Sequence, residues 1–446
     1  MKTPWKCIII TIILILVLFI PSLAGAVQPP QIEAEAALVI DQKSGTILYA
    51  KDAQRRMFPA STTKILTALL AVETGDLAEI ITVGTEINLV KKDSSLAHLK
   101  IGDTISLGDL IYGLMLPSGN DAAYIIAVHL GRRQAGDSNL SAAAALEVFS
   151  DMMNSRANDL GAKDSHFTVP DGYHDENHYT TAHDLSLIAR AAMDNPFIRT
   201  VVSTNMHRAQ SWTGKKTRDW TNTNLLIQSD NNNYYPYATG LKTGYTEEAG
   251  FCLVSSGSDG KMDLIAVSLN ASRGRRWADA RALLDYCFAN YAWRQLLQAD
   301  EIIQTVSISN GDYGQPDSVA LIVAEGFAGV FSQEDLERIT KQVLIDPNLV
   351  ETEKTSAQSP ASGFSLRAPL VKGQAVGHVL LTLDGRELFS TDILITENVA
   401  AQPWWRKLLA PAILLLAAGL LSVPAICIYK NKRRRKSDLV RRRQSI

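Results

Sequence analysis

The sequence predicts an α+β fold, and three patterns carry that expectation. Strand-like runs open and close residues 30–295, a helical stretch fills the middle, and one more helix follows the last strands. Terminal strands that pack together under a closing helix build a layered domain, here an antiparallel sheet with helices on both sides.

The elements follow in order. Residues 37–41 and 46–49 flank Gln42-Lys43-Ser44-Gly45 and read as a hairpin with a Ser-Gly turn. After Pro59 the run Ile65-Leu66-Thr67-Ala68-Leu69-Leu70 reads as a helix with Ser61 at its mouth. Residues 105–116 have helical apolar spacing and stop at Pro117. Helices are also expected over 121–130, 141–160 and 182–193. Residues 251–255 and 264–268 flank Gly257-Ser258-Asp259-Gly260, a second hairpin, and residues 275–291 form the closing helix. From about residue 300 short alternating runs dominate, at 304–308, 318–323 and 379–383, the last followed by the turn Asp384-Gly385. This predicts a small, mostly β module with a Ser/Thr/Pro-rich loop near 353–363.

Both ends of the chain look specialised. Lys2 and Lys6 precede an uncharged run to Ile20, then Pro21 and the small residues Ala24-Gly25-Ala26, the pattern of a cleavable export signal over 1–26. Near the other end, 408–429 holds no charged residue; as a helix its 22 residues rise about 33 Å, enough for a bilayer core of about 30 Å. Trp404 and Trp405 precede that run, and the segment 430–446 carries nine Lys/Arg against one Asp. Basic residues mark the cytoplasmic side. The expected organisation is therefore a signal (1–26), a larger domain (27–297), a β-rich domain (298–400), a transmembrane anchor (404–429) and a cytoplasmic tail (430–446). Everything between the two apolar segments would lie outside the membrane. With the basic tail set apart from a chain of net charge −2, the exported part is acidic, which excludes nucleic acid as a partner.

Composition is that of a folded protein, 46% hydrophobic and 20% charged. Of the four cysteines, only Cys252 and Cys287 fall between the apolar ends. Both sit in apolar contexts that suit buried thiols, although a single bridge is also open.

The chemistry gathers around three short motifs. Ser61 and Lys64 lie on one helix face at i, i+3, so the amine can reach the hydroxyl. A serine needs an adjacent base to become a nucleophile, and a lysine crowded by cations and partly desolvated can supply one. Ser118-Gly119-Asn120 follows Pro117 at a helix break, where Ser118 can pass a proton to a departing amine and Asn120 can face Lys64 and a substrate amide. Lys242-Thr243-Gly244 comes just before the strand at 251–255; its amine and hydroxyl suit a terminal carboxylate, and Gly244 lets a substrate approach the backbone. The backbone N–H groups of Ser61 and Tyr245 are candidate oxyanion donors. Ser229-Asp230-Asn231 also has the Ser-x-Asn form but lies in an Asn/Asp-rich turn and reads as a decoy.

Other polar clusters read as structural. His174, His178 and His183 have partly metal-like spacing, but their segment reads as a loop, so no metal and no cofactor is expected. Arg275 and Arg276 look like clamps for a substrate carboxylate but read rather as a surface pair at a helix N-terminus, and Trp212 and Trp220 read as core or rim residues rather than sugar platforms.

The ordered set S-x-x-K, S-x-N, K-T-G is shared by class A β-lactamases and penicillin-binding proteins. More closely, residues 35–295 resemble the low-molecular-mass penicillin-binding proteins that act as serine-type D-alanyl-D-alanine carboxypeptidases (peptidase S11-like). The resemblance rests on Phe58-Pro59-Ala60-Ser61-Thr62-Thr63-Lys64, on the segment from Met115 to Ala123, on Gly240-Leu241-Lys242-Thr243-Gly244-Tyr245-Thr246 and on the segment from His178 to Leu185. Residues 368–395 resemble that family's C-terminal β domain. The resemblance implies a β-lactamase/transpeptidase-like catalytic domain. It also implies that Ser61 is acylated by the penultimate D-Ala of a peptidoglycan stem pentapeptide and releases the terminal D-Ala. β-Lactams would trap Ser61, with their carboxylate near Lys242 and Thr243. A D,D-endopeptidase or β-lactamase on the same scaffold, or a non-catalytic wall-binding protein, are the competing expectations. Many members of that family end in an amphipathic helix, whereas this chain ends in a full apolar span.

Overall fold

The computed structural model describes residues 28–210, 217–352 and 364–443. The export signal expected over 1–26, Trp212 and the loop at 353–363 lie outside the described residues. Contacts divide the chain into two compact units, Met1–Trp293 with Val330–Gln333, and Arg294–Gly329 with Glu334–Ile446.

The first unit is built on a five-stranded antiparallel sheet. In chain order its elements are β1 (Ala36–Asp41), β2 (Ile47–Lys51), α1 (Lys64–Thr74), β3 (Ile80–Thr82), β4 (Thr104–Ser106), α2 (Leu107–Met115), α3 (Asn120–Ala135), α4 (Ala142–Asp159), α5 (Ala182–Asp194), α6 (Pro196–Ser203), β5 (Met206–Gln210), β6 (Thr217–Thr221), β7 (Ala238–Thr246), β8 (Gly250–Ser258), β9 (Asp263–Ala271) and α7 (Arg275–Asn290). The large sheet runs β2-β1-β9-β8-β7, while β3-β4 and β5-β6 are separate two-stranded ribbons.

Period-two alternation divides the core between the two sheet faces. Leu38, Ile40, Ile265 and Val267 point into one cluster with Ile65, Leu69, Leu185 and Ile188 of α1 and α5. Ala37, Val39, Leu264 and Ala266 point into the other, with Trp277, Leu283 and Leu284 of α7. All six residues of β1 are buried, which is why residues 36–40 form a continuous apolar run before Asp41. Each fully buried Leu or Ile contributes about 2 kcal/mol by leaving water.

Helix α1 is buried from Lys64 to Ala71, so it is the central helix of its layer. Around it the helices start on side-chain caps: Ser106 on α2, Ser141 on α4, Thr181 on α5 and Asn195, followed by Pro196, on α6. The two cysteines fall in different core clusters, Cys252 in the first and Cys287 in the second, and both are buried free thiols. Burial pushes them up to about 11 and about 12.

The second unit holds a seven-stranded sheet in the order 339–345, 375–383, 386–395, 318–323, 302–309, 364–367 and 350–352. Its core gathers Val306, Val319, Leu321, Val379, Leu381, Ile393 and Ile395. A helix follows at Arg406–Arg443 and includes the apolar run 408–429. Counted over the described residues alone, no helix is long and apolar enough to cross a membrane.

Candidate active site

The polypeptide turns sharply just before α1. Residues Ala60–Thr63 form a 3-10 turn with no side-chain cap on its first N–H groups. Thr62 Oγ1 donates to Pro59 O at 2.7 Å and Thr63 Oγ1 donates to Ala60 O at 2.9 Å, closing the turn on itself. Ser61 stands on this turn and Lys64 is the first residue of α1. Their separation still places both side chains on one side, and Lys64 Nζ lies 2.9 Å from Ser61 Oγ.

Lys64 is fully buried, and its amine has two further partners. It donates to Asn120 Oδ1 at 2.7 Å and to the backbone carbonyl of Asp171 at 2.7 Å. Burial pulls this amine down to about 8, while the charges of Asp171 and Asp121 work against that shift. Desolvation, rather than crowding by cations, therefore brings the amine within reach of neutrality. Crowding is a feature of the second lysine. Lys242 is pushed well below the usual lysine range by burial first, then by Lys64 and Arg276.

The break ahead of α3 supplies Ser118, in the loop, and Asn120, the first residue of the helix. Asp121 anchors it: Oδ1 accepts from Ala97 N at 2.7 Å and Oδ2 from Leu99 N at 2.9 Å. Asn120 N donates to Ser95 O at 2.8 Å. Ser118 is buried and sits at φ 63°, a left-handed conformation that is uncommon for a non-glycine residue and marks a held loop.

Lys242, Thr243, Gly244 and Tyr245 lie inside β7, not ahead of a strand as the sequence suggested. They pair residue for residue with Val254, Leu253, Cys252 and Phe251 of β8. The glycine weakens the apolar pattern, but an edge strand tolerates it. Its lack of a side chain has a use: a Cβ on Gly244 would lie 3.1 Å from Ser61 N, Ala60 Cβ and Pro59 O. The edge strand is thereby laid directly against the serine turn. Lys242 Nζ donates to Thr243 O at 3.0 Å, and Thr243 Oγ1 is 2.8 Å from Thr223 Oγ1. Tyr245 is exposed and stacks on Phe251 at 4.3 Å.

Thus Ser61, Lys64 and Asn120 are directly bonded, Gly244 abuts Ser61, and Lys242 is an electrostatic neighbour of Lys64. Arg276 does not lie on the surface as the sequence suggests. Arg275 does face outward, pairing with Glu33 at 3.1 Å, but Arg276 turns inward. Its guanidinium lies 4.5 Å from the Trp277 ring and 5.1 Å from Phe251, and Nη1 is 3.4 Å from Gly244 O. Burial lowers it to about 10. The helical period carried that signal, since Arg276 shares a face with the buried Ala280, Leu283 and Cys287. Asp171, whose carbonyl holds Lys64, had no sequence signal, because a backbone acceptor is invisible to motif reading.

The profile of D-alanyl-D-alanine carboxypeptidases (Peptidase S11) matches residues 24–273. The chain belongs to this family. A second profile, the penicillin-binding protein 5 C-terminal domain, matches residues 291–401. The D-alanyl-D-alanine carboxypeptidase of Streptomyces sp. strain K15 is 38% identical over 275 residues, covering 60% of this chain and 91% of that one. DacF, a D-alanyl-D-alanine carboxypeptidase of Bacillus subtilis, is 28% identical over 377 residues, covering 82% of this chain and 86% of that one. The crystal structure of penicillin-binding protein 5 from Haemophilus influenzae aligns with TM-score 0.58 at 27% identity, covering 84% of this chain and 99% of that one. The family is one of serine-type hydrolases, and this member has the penicillin-binding, transpeptidase-like fold with a C-terminal β domain.

Proposed function

We propose that this D,D-carboxypeptidase works through an acyl-enzyme on Ser61, with stem pentapeptides of peptidoglycan as substrates and β-lactams as covalent inhibitors. The observation that carries the reading is the buried Lys64 amine, 2.9 Å from Ser61 Oγ and fixed by Asn120 and Asp171. In neutral form Lys64 takes the Ser61 proton as Oγ bonds to the carbonyl carbon of the penultimate D-Ala. The oxyanion then faces the N–H groups of Ser61 and Tyr245, each donor worth about 3–4 kcal/mol. The C–N bond breaks as Ser118 relays a proton to the leaving nitrogen. Water completes the cycle by hydrolysing the ester. Lys242 and Thr243 take the substrate's terminal carboxylate, with Arg276 adding positive charge behind them, and Asn120 orients the peptide amide.

The test is labelling of the purified full chain with fluorescent penicillin. Ser61→Ala should abolish labelling, and labelling that persists would overturn the assignment. Products from a stem pentapeptide then separate release of D-alanine from cleavage of cross-links.

We also propose that the chain is exported and stays tethered with its catalytic part outside the membrane. Support comes from the signal-like segment 1–26, the uncharged run 408–429 within the helix Arg406–Arg443, the tryptophans before it and the basic residues after it. Co-flotation with lipid vesicles that disappears on removing 404–446 is the expected result; unchanged flotation would refute the anchor.

A further inference from the structure

The turn that carries Ser61 is strained. Ala60 has φ 49°, although it is not glycine, and such a residue persists only where its surroundings hold it. Two groups hold its carbonyl. Thr63 Oγ1 donates to Ala60 O at 2.9 Å, and Gly172 packs so closely on the same oxygen that a Cβ there would stand 1.9 Å from it.

Thr63 is itself held by a residue far away in sequence. His178 is buried, and its Nε2 lies 2.8 Å from Thr63 Oγ1. Because the Thr63 hydroxyl hydrogen is used on Ala60 O, Nε2 must be the donor in that contact. The other ring nitrogen confirms this tautomer: Nδ1 accepts Thr168 N–H at 3.0 Å and Val169 N–H at 3.4 Å. Phe167 packs edge-on against the ring at 5.5 Å. A single chain of bonds therefore runs from the 168–169 backbone through the imidazole and Thr63 to the strained Ala60, next to the nucleophile.

We propose that His178 is a positioning residue for acylation: in its neutral Nε2–H form it clamps, through Thr63, the Ala60 turn that aims Ser61 at Lys64. It touches neither substrate nor the reacting atoms. A second ring proton would point at the Thr168 and Val169 N–H groups, so protonation and the clamp are incompatible. The charged groups around the ring divide. Asp175 favours the imidazolium, whereas His166, His174 and Lys64 oppose it, and burial dominates, pushing the ring down to about 3. The clamp therefore stays closed at neutral pH.

The inference rests on the assignment of Ser61 and Lys64 above, and its test is separate from theirs. Acylation of the full chain by penicillin is followed with the saturating rate constant and the pre-covalent dissociation constant resolved. His178→Leu removes the bonds at both ring nitrogens and should lower the rate constant about 10–100-fold, the scale of a small misplacement of a reacting group, with the dissociation constant within about threefold. His178→Gln keeps one donor and one acceptor and should recover most of the loss. Thr63→Val should match His178→Leu, and the double variant should be no slower than either single one. The inference is overturned if His178→Leu acylates within about threefold of the parent, if binding weakens as much as the rate, or if the two losses multiply. If His178→Leu fails to fold, Thr63→Val against Thr63→Ser decides: equal rates would refute the clamp. Loss of labelling in Ser61→Ala with normal acylation in His178→Leu would leave the nucleophile standing and remove only the clamp.

Discussion

Gly244 and Ser61 meet across the active site with no room for a side chain: a Cβ on Gly244 would lie 3.1 Å from the Ser61 backbone nitrogen. Contacts that tight require one partner to shift by a few tenths of an ångström. The neighbours are backbone or Ala60, and Ala60 is already in a strained conformation. Gly244→Ala should therefore slow acylation about tenfold and Gly244→Val about a hundredfold, because Ser61, the proposed nucleophile, and the Tyr245 N–H, a proposed oxyanion donor, separate. Stopped-flow acylation with penicillin, beside thermal melts, checks this. Parent-like acylation by Gly244→Val would mean the strand and the turn move independently.

With Lys64 as the proposed base, its amine, brought down to about 8 by burial, is expected to set the pH dependence of acylation. In that role the reactive form is the neutral amine. Below that value its fraction grows about tenfold per pH unit, and above it the rate levels. The expected profile of the acylation rate constant is thus a rise between pH 6 and 8 followed by a plateau. Lys64→Arg, always charged, should lose acylation by orders of magnitude at every pH. A flat profile over this range would point to a different base.

The site's skeleton was legible because it depends on local spacing: Ser61 and Lys64 at i, i+3, Asn120 at a helix break, Gly244 where a close approach needs no side chain. What could not be read depends on chain segments distant in sequence. The Asp171 carbonyl, the Thr223 hydroxyl and the His178 ring reach the site only after the fold brings residues 60–64, 120, 168–178 and 223–243 together. Lys242-Thr243-Gly244 reads as lying ahead of a strand because two polar residues and a glycine interrupt the apolar alternation, yet pairing with β8 overrides that weak propensity. Arg276 reads as a surface residue for another reason. Its charge suggested solvent, while its helix phase placed it on the face that packs around Phe251 and Trp277.

Lys242 is buried among cations, so a carboxylate arriving beside it relieves repulsion as well as making new bonds. Lys242→Ala should raise KM for a peptide ending in D-alanyl-D-alanine about 10–100-fold, with a smaller effect on kcat. The same peptide with a C-terminal amide should feel the substitution far less. Equal losses with both peptides would show that Lys242 acts on something other than the carboxylate.

Acid should destabilise the first unit through His178. Burial holds the folded ring down to about 3, against 6.5 for a free histidine. Between these values the unfolded chain binds the extra proton and the folded one does not, so stability rises with pH across that window and is lost as pH falls. At pH 5 the loss from this group is about 2 kcal/mol, from 1.5 units at about 1.4 kcal/mol each. Urea unfolding of the parent and of His178→Gln at pH 7 and pH 5 isolates the term, since glutamine does not titrate. The parent should lose about 2 kcal/mol more than the variant between the two pH values. Equal losses would mean that the ring takes up a proton in the folded state, and that the Thr168 and Val169 N–H groups do not hold it neutral.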